Sequence, residues 1–112
     1  MSRKGKIAVI TGASMGIGAA TARSLAHQGA SLALLARSKD KLARLAEELQ
    51  GVPGCGRVLY FSVDLRDSNA LADAMANTVK ELGGPVDVLI NNAGQGGTRR
   101  VLECVAQQVV RN

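Results

Sequence analysis

The feature that most constrains the fold of this chain is an alternation between short, continuous apolar runs and longer stretches of helical periodicity. Residues 7–10 and 32–36 are runs of the first kind, typical of strands buried on both faces of a sheet. Residues 39–50 are of the second kind, with leucines spaced three and four residues apart. Strand–helix units repeated in this way predict a parallel sheet with right-handed crossovers and helices on both faces.

The same pattern predicts where each element begins and ends. Strands are expected at residues 7–10, 32–36, 57–63 and 86–90, and helices at residues 16–28, 39–50 and 68–82. The buried face of the first helix is expected to comprise Ile17, Ala20, Leu25 and Ala26. The third helix is expected to be capped by either Asp67 or Ser68.

Length and composition fit one small domain with one hydrophobic core. The chain has 112 residues, of which 46% are apolar. It holds one Tyr, one Phe and no Trp, which argues against a nucleic-acid module that stacks bases on aromatic side chains. No segment reaches the roughly 18 apolar residues of a membrane span. Cys55 and Cys104 show neither CxxC spacing nor a disulfide framework, so a reducing, cytoplasmic location is expected.

The net charge of +5 is unevenly distributed, because no acidic residue precedes Asp40. Such a bias is compatible with nucleic acid, an anionic surface, a phosphorylated ligand or an organellar leader peptide. A complete strand–loop–helix motif occupies the same stretch, however, and no nucleic-acid motif is present. The phosphorylated ligand is therefore the favoured explanation of the positive charge.

A glycine-rich loop joins the first strand to the first helix and reads Thr11-Gly12-Ala13-Ser14-Met15-Gly16-Ile17-Gly18. Glycines allow the backbone to approach a ligand closely and to adopt positive φ. The loop opens directly onto a helix N-terminus, whose free N–H groups and dipole favour a pyrophosphate. Its G-x-x-x-G-x-G spacing differs from the G-x-G-x-x-G of many dinucleotide folds, and a flexible turn without a ligand is the alternative interpretation.

The glycine loop, followed about eighty residues later by Asn91-Asn92-Ala93-Gly94, resembles the paired signature of short-chain dehydrogenases/reductases. The resemblance covers roughly residues 5–94. It implies a Rossmann-type doubly wound parallel sheet of strand order 3-2-1-4 that binds a nicotinamide dinucleotide. The loop residues that it implies as cofactor contacts are Gly12, Ser14, Met15, Gly16, Ile17 and Gly18.

The residues after the second strand favour NADP(H) over NAD(H). An acid at this point would accept hydrogen bonds from the adenosine ribose, whereas a 2′-phosphate requires a cation. This chain has Arg37, which can offer a planar donor fork, and Ser38, which can offer a hydroxyl. The alternative is that Arg37 is a solvated loop residue, but the missing acid argues against NAD(H) independently.

The resemblance also implies cofactor contacts after the third and fourth strands. Asp64 would hydrogen-bond the adenine amino group while Leu65 contacts the ring, unless Asp64 only polarises the start of the third helix. The fourth-strand turn would line the cofactor with three consecutive residues, Asn92, Ala93 and Gly94. Asn91 is expected to be structural.

Proton transfer in the resembled family uses a Tyr with a Lys four residues later. Tyr60 is the one tyrosine here, and Asp64 stands four residues after it. No catalytic residue is therefore assigned, and the chain alone is expected to be inactive. Two function classes remain: the cofactor-binding portion of an NADP-dependent carbonyl or alcohol oxidoreductase, or a catalytically silent nucleotide-binding or interaction protein.

Residues 1–94 are expected to form the NADP-binding half-domain and residues 95–112 a divergent tail. Two interpretations of the tail remain open from the sequence. It either covers the fourth strand or is an arbitrary end produced by truncation or alternative splicing. In the fourth strand Val86, Val88 and Ile90 are expected on one face and Asp87 and Leu89 on the other. Because little charge guards such an edge, self-association through the exposed fourth strand is expected.

Overall fold

The computed structural model describes residues 4–14 and 16–92, and within these ranges it contains four parallel strands and three α-helices. The elements are β1 (Ile7–Thr11), α1 (Gly16–His27), β2 (Ser31–Ala36), α2 (Lys39–Gln50), β3 (Val58–Ser62), α3 (Ser68–Leu82) and β4 (Val88–Asn91). The strands are ordered β3-β2-β1-β4, which confirms the expected α/β architecture and the order 3-2-1-4. Met15, Ala93, Gly94 and the tail at 95–112 lie outside the described residues.

Helices cover both faces of the sheet. Alternate residues of β1 divide between two cores: Ala8 and Ile10 pack with α1 and α2, whereas Val9 packs with α3. The strand β1 is buried along its whole length, as its continuous apolar run predicted. Two helices on one face and one on the other are the consequence of right-handed crossovers in both directions from β1.

The strand boundaries differ from the expected ones by one or two residues at most ends. β2 begins at Ser31, because the Ser31 N–H already donates to the Lys6 carbonyl oxygen at 2.9 Å. β3 is shorter than residues 57–63, and β4 runs from Val88 to Asn91 rather than over residues 86–90. Val86 precedes the strand and packs with Leu89 on the α3 face, so its expected place beside Val88 and Ile90 was wrong.

The expected buried face of α1 was also partly wrong. Leu25 and Ala26 are buried, but Ile17 is 77% exposed and Ala20 is exposed. The residues that face the sheet are Gly18, Ala19, Ala22, Leu25 and Ala26. All of these residues except Leu25 are glycine or alanine, which lets α1 lie close to the strands, and Ile17 is left exposed at the helix start.

None of the three helices is both long enough and apolar enough to cross a membrane, and this finding covers the described residues alone.

Candidate cofactor-binding site

The candidate site lies where the four strands end. Because the strands are parallel, the loops after β1, β2, β3 and β4 all leave the same edge of the sheet. Ligands of doubly wound sheets bind at this edge, where crossovers leave β1 towards opposite faces. The sequence-predicted residues of the described part are therefore brought to one edge, each in the loop or first turn that follows its strand.

The glycine loop is fixed to the neighbouring strand rather than free. The Gly12 N–H donates to the Leu35 carbonyl oxygen at 2.8 Å, and Ala13 is fully buried behind it. Gly12 and Gly16 both adopt positive φ, at 64° and 62°, which other residues rarely tolerate. The first part of the loop is thus fixed to β2 by backbone hydrogen bonds, and the described chain resumes in α1 at Gly16.

Gly18 brings α1 against the loop. A Cβ at this position would overlap the Gly12 carbonyl oxygen and would lie 2.9 Å from the Gly12 carbonyl carbon. Only glycine therefore permits this contact between helix and loop. The resulting first turn of α1 presents free N–H groups beside the loop, which suits a bound pyrophosphate. Ile17 stands exposed at the same helix start.

The turn between β2 and α2 offers a cation and a hydroxyl. Arg37 is exposed, and the Ser62 hydroxyl donates to its carbonyl oxygen at 2.9 Å, which holds the turn against the end of β3. Ser38 is the N-cap residue of α2, but its side chain makes no capping hydrogen bond. A hydroxyl that makes no capping bond and an exposed guanidinium beside it can both donate hydrogen bonds to a phosphate group.

Asp64, after β3, is held by an ion pair that sequence reasoning did not foresee. Its carboxylate accepts from the Arg66 side chain at 3.2 and 3.1 Å and from the Arg66 backbone N–H at 2.9 Å. The Arg66 hydrogen bonds lower the pKa of Asp64 to about 2, with a small contribution from the charge of Arg37. The carboxylate is therefore ionised at neutral pH and retains acceptor capacity for an amino group.

Asp67 rather than Asp64 organises the start of α3. The Asp67 carboxylate accepts from the N–H groups of Asn69 and Ala70, both at 3.1 Å. This confirms one of the two expected caps and leaves Asp64 outside the helix. Leu65, between them, is half-buried against the α3 core.

A buried threonine joins the ends of β1 and β4. The Thr11 hydroxyl donates to the Asn91 side-chain oxygen at 2.9 Å and accepts from the Asn92 N–H at 3.1 Å. Asn91 therefore has the structural role that was expected of it. The role of Thr11 was missed, although its position directly before Gly12 was a signal that it reaches the sheet edge.

The amide nitrogen of the Asn92 side chain is a buried donor without a partner in the described part of the chain. A buried polar group without a partner is costly, and one that persists calls for a ligand or water. This donor, the glycine cradle and the exposed Arg37 fit a dinucleotide phosphate chain and its ribose groups. The residues present are thus compatible with the implied cofactor.

Comparisons with known proteins agree with this geometry. The family model described as short chain dehydrogenase matches residues 6–112, which extends past the motifs that carried the resemblance. The chain is 42% identical over 101 residues to an uncharacterized oxidoreductase of Mycobacterium tuberculosis, a match over 89% of this chain and 29% of that protein.

Solved structures give the same result. L-sorbose reductase from Gluconobacter frateurii, complexed with NADPH and L-sorbose, superposes with a TM-score of 0.86 at 31% identity. That match covers 98% of this chain and 49% of the reductase. An alcohol dehydrogenase from Thermococcus sibiricus, complexed with 5-hydroxy-NADP, gives a TM-score of 0.70 at 43% identity over 75% of this chain and 35% of its own. The chain thus spans half or less of each relative.

Proposed function

This chain belongs to the short chain dehydrogenase family, and we propose that it forms the NADP(H)-binding portion of an oxidoreductase acting on a carbonyl or alcohol substrate. The observation that carries the proposal is the turn before α2, where an exposed Arg37 adjoins Ser38, whose hydroxyl makes no capping hydrogen bond. No acid stands at the end of β2 to accept from an adenosine ribose. The NADPH and NADP-type ligands of two solved relatives support this choice of cofactor.

Different groups of the described residues bind different parts of the cofactor. The glycine loop and the N-terminus of α1 hold the pyrophosphate, with Gly12, Gly16 and Gly18 allowing close approach. Arg37 and Ser38 hold the 2′-phosphate. The bound nicotinamide supplies or accepts a hydride, and the protein supplies orientation and electrostatics.

Adenine and the nicotinamide side are assigned to the loops after β3 and β4. Asp64 accepts from the adenine amino group with capacity left over from Arg66, and Leu65 contacts the ring. Asn92 donates through its side-chain nitrogen, which lacks a partner among the described residues. Met15, Ala93 and Gly94 complete the proposed set from outside the described residues. Cys55, a free thiol, fits the proposed cytoplasmic location.

A second function is favoured by one observation: the 112 residues hold no Tyr with a Lys four positions later. The single tyrosine, Tyr60, lies in the edge strand β3, far along the sheet from β4. A polypeptide of this sequence alone is therefore a catalytically silent nucleotide-binding protein. It binds the cofactor without transferring a proton to a substrate.

The cofactor assignment is tested by Arg37→Asp. We expect NADPH binding to weaken by about 1–3 kcal/mol, the scale of a charge-assisted contact, and NADH binding to improve relative to it. Titration calorimetry of the 112-residue chain with both cofactors measures this. Lys80→Asp, which makes the same charge change on an exposed part of α3, is the matched control. Equal effects of Arg37→Asp on the two cofactors would show that Arg37 does not contact the 2′-phosphate.

A further inference from the structure

The turn between β3 and α3 is held in place at both of its ends. At its start the Val63 N–H donates to the Ala36 carbonyl oxygen at 2.9 Å. At its end the Asp67 N–H donates to the Asp64 carbonyl oxygen, also at 2.9 Å. Between these two points Leu65 packs against the α3 core. The backbone that carries Asp64 is therefore fixed relative to both β2 and α3.

The Arg66 side chain folds back onto the carboxylate of Asp64. Oδ1 of Asp64 accepts two hydrogen bonds, from the Arg66 backbone N–H at 2.9 Å and from Arg66 Nε at 3.2 Å. Oδ2 accepts one, from Arg66 Nη2 at 3.1 Å. Three donors of a single residue thus fix the orientation of the carboxylate, because the planar guanidinium meets both oxygens at once.

These contacts leave the carboxylate with one acceptor position. An ionised carboxylate offers about four lone-pair positions, two on each oxygen. The two bonds to Oδ1 fill that oxygen, whereas Oδ2 keeps one lone pair. Ionisation is not what Arg66 adds at neutral pH, since an aspartate of ordinary pKa is also charged there. What Arg66 adds is a fixed orientation and a single remaining acceptor on Oδ2.

This acceptor lies beside the turn that carries the proposed 2′-phosphate contacts. The Ser62 hydroxyl, at the end of β3, donates to the Arg37 carbonyl oxygen at 2.9 Å and so joins the two loops. The charge of Arg37 also contributes to the low pKa of Asp64, as expected of neighbouring opposite charges. A nucleotide whose 2′-phosphate is bound by Arg37 would therefore have Asp64 within reach of its base.

We propose that Arg66 is a positioning residue that gives the site its preference for a 6-amino purine, because it holds Asp64 with a single acceptor aimed at the exocyclic amino group. The inference rests on the proposed function and deepens it, since it assigns the base specificity of the cofactor to an ion pair. Arg66 acts through Asp64 and does not itself contact the base.

Hypoxanthine shows why the orientation of the carboxylate matters. Its C6 carries an oxygen instead of an amino group, so it cannot donate to Oδ2, and the buried pair of acceptors would repel each other. Its neighbouring ring nitrogen, N1, does carry a hydrogen. A carboxylate that is free to turn can accept from N1–H, whereas one held by three hydrogen bonds cannot follow it. Loss of Arg66 should therefore relax the discrimination between the two bases.

The first test is Arg66→Gln, with NADP⁺ and nicotinamide hypoxanthine dinucleotide phosphate as the two probes. Both probes carry the same phosphate groups, so a general loss of positive charge weakens both alike. We expect the unsubstituted 112-residue chain to prefer NADP⁺ by about tenfold, the scale of one hydrogen bond. In Arg66→Gln the preference should fall to about threefold or less, because the carboxylate is no longer held. Titration calorimetry measures both affinities.

Arg57→Gln is the matched control. Arg57 is also an exposed arginine paired with a carboxylate, since its Nη2 lies 3.7 Å from Glu81 Oε2. It precedes β3, at the end of the strand opposite to Asp64. The substitution therefore breaks a comparable exposed ion pair away from the proposed site, and it should leave the base preference unchanged.

The second test determines whether Arg66 acts through Asp64. Asp64→Ala removes the acceptor and should abolish the preference for NADP⁺ over the hypoxanthine dinucleotide. Adding Arg66→Gln to Asp64→Ala should then cause no further change in that preference. A direct contact between Arg66 and the base gives a different result, because Arg66→Gln would still change the preference in the Asp64→Ala background.

The outcomes separate this proposal from the one on which it rests. An unchanged base preference in Arg66→Gln overturns the role of Arg66, as does a further change when Arg66→Gln is added to Asp64→Ala. Equal binding of the two dinucleotides by the unsubstituted chain also overturns it. If Arg37→Asp still shifts the NADPH:NADH ratio in these cases, the proposed function stands without the role of Arg66. A chain that binds neither dinucleotide overturns both proposals together.

Discussion

At position 18 the backbone of α1 touches the loop that precedes it. A side chain there would overlap the Gly12 carbonyl oxygen, so helix and loop would have to separate. Gly54 differs from Gly18 in the space around it. Its φ is 83°, but no atom would lie within 4 Å of a Cβ at this position. The first position is restricted by space and the second by backbone conformation alone.

Gly18→Ala is therefore expected to affect both stability and binding. Forcing a methyl group into this contact should cost about 1–3 kcal/mol in the free energy of unfolding. NADPH binding should weaken by about tenfold or more, because the third glycine allows the close packing on which the phosphate site depends. Denaturant unfolding and calorimetric titration measure the two effects.

Gly54→Ala is the matched control for that substitution. Its backbone strain should cost about 1–2 kcal/mol of stability, a similar amount, without changing NADPH affinity. An effect on binding that is equal in the two variants would mean that lost stability, and not the loop geometry, weakens the cofactor contact.

Among the elements, the two helices with clear amphipathic patterns were predicted at their observed bounds. α2 runs from Lys39 to Gln50 with Leu42, Leu45 and Leu49 buried, and α3 runs from Ser68 to Leu82. Large apolar residues at helical spacing indicated both the extent of each helix and the face that it buries. The end of β4 and the end of β3 were less certain, because a run of apolar residues does not say which N–H groups pair.

The face of α1 was mispredicted because its packing depends on small residues. Hydrophobicity selects Ile17, whereas the spacing of Gly18, Ala22 and Leu25 marks the face that actually contacts the sheet. The available signal was the four-residue spacing of the small residues Gly18 and Ala22, continued three residues later by Leu25. A glycine that permits close approach counts for more in this helix than a large apolar residue at its exposed start.

Side-chain contacts between distant residues were not predictable from the sequence. The Arg23–Glu48 pair joins residues 25 positions apart, and the Thr11–Asn91 hydrogen bond joins residues 80 apart. Both depend on how α1 meets α2 and on the register of β1 against β4. Motif spacing could nominate Arg37 and Asn92, but neither the neutralised Glu48 nor the Arg66 partner of Asp64 follows from it.

For the whole molecule, we expect cofactor binding without turnover. Proton transfer to or from a carbonyl substrate needs a positioned acid or base, and the sequence lacks the family pair of Tyr and Lys. NADPH absorbance should therefore stay constant when the 112-residue chain is mixed with aldehydes, ketones or quinones. Turnover that depends on the protein, and that a substitution within this chain abolishes, would contradict the prediction.

The two edges of the described sheet differ in how well they are covered. The side chains of β4 are all half-buried, whereas those of β1 are fully buried. The Asp87 N–H donates to the Ile7 carbonyl oxygen of β1. Because successive residues of a strand direct their N–H groups to opposite sides, the Val88 N–H points away from β1. At the other edge, Gln50 donates to the Val58 carbonyl oxygen and partly covers β3. The β4 edge presents the outward N–H of Val88 between apolar side chains, so it can act as a template for another strand.

We therefore expect the 112-residue chain to self-associate through β4, with a sedimentation coefficient that rises with concentration. Val88→Pro removes an outward donor from this edge, where proline is tolerated, and should shift the chain towards monomer. Tyr60→Pro is the matched control at the β3 edge. The Arg57 carbonyl oxygen accepts from the Leu32 N–H of β2, so Arg57 and Leu59 direct their backbone groups towards β2 and the Tyr60 N–H points outward. Far-UV circular dichroism checks that both variants fold. A chain that remains monomeric at every concentration contradicts the prediction, and loss of association only in Tyr60→Pro would move the interface to β3.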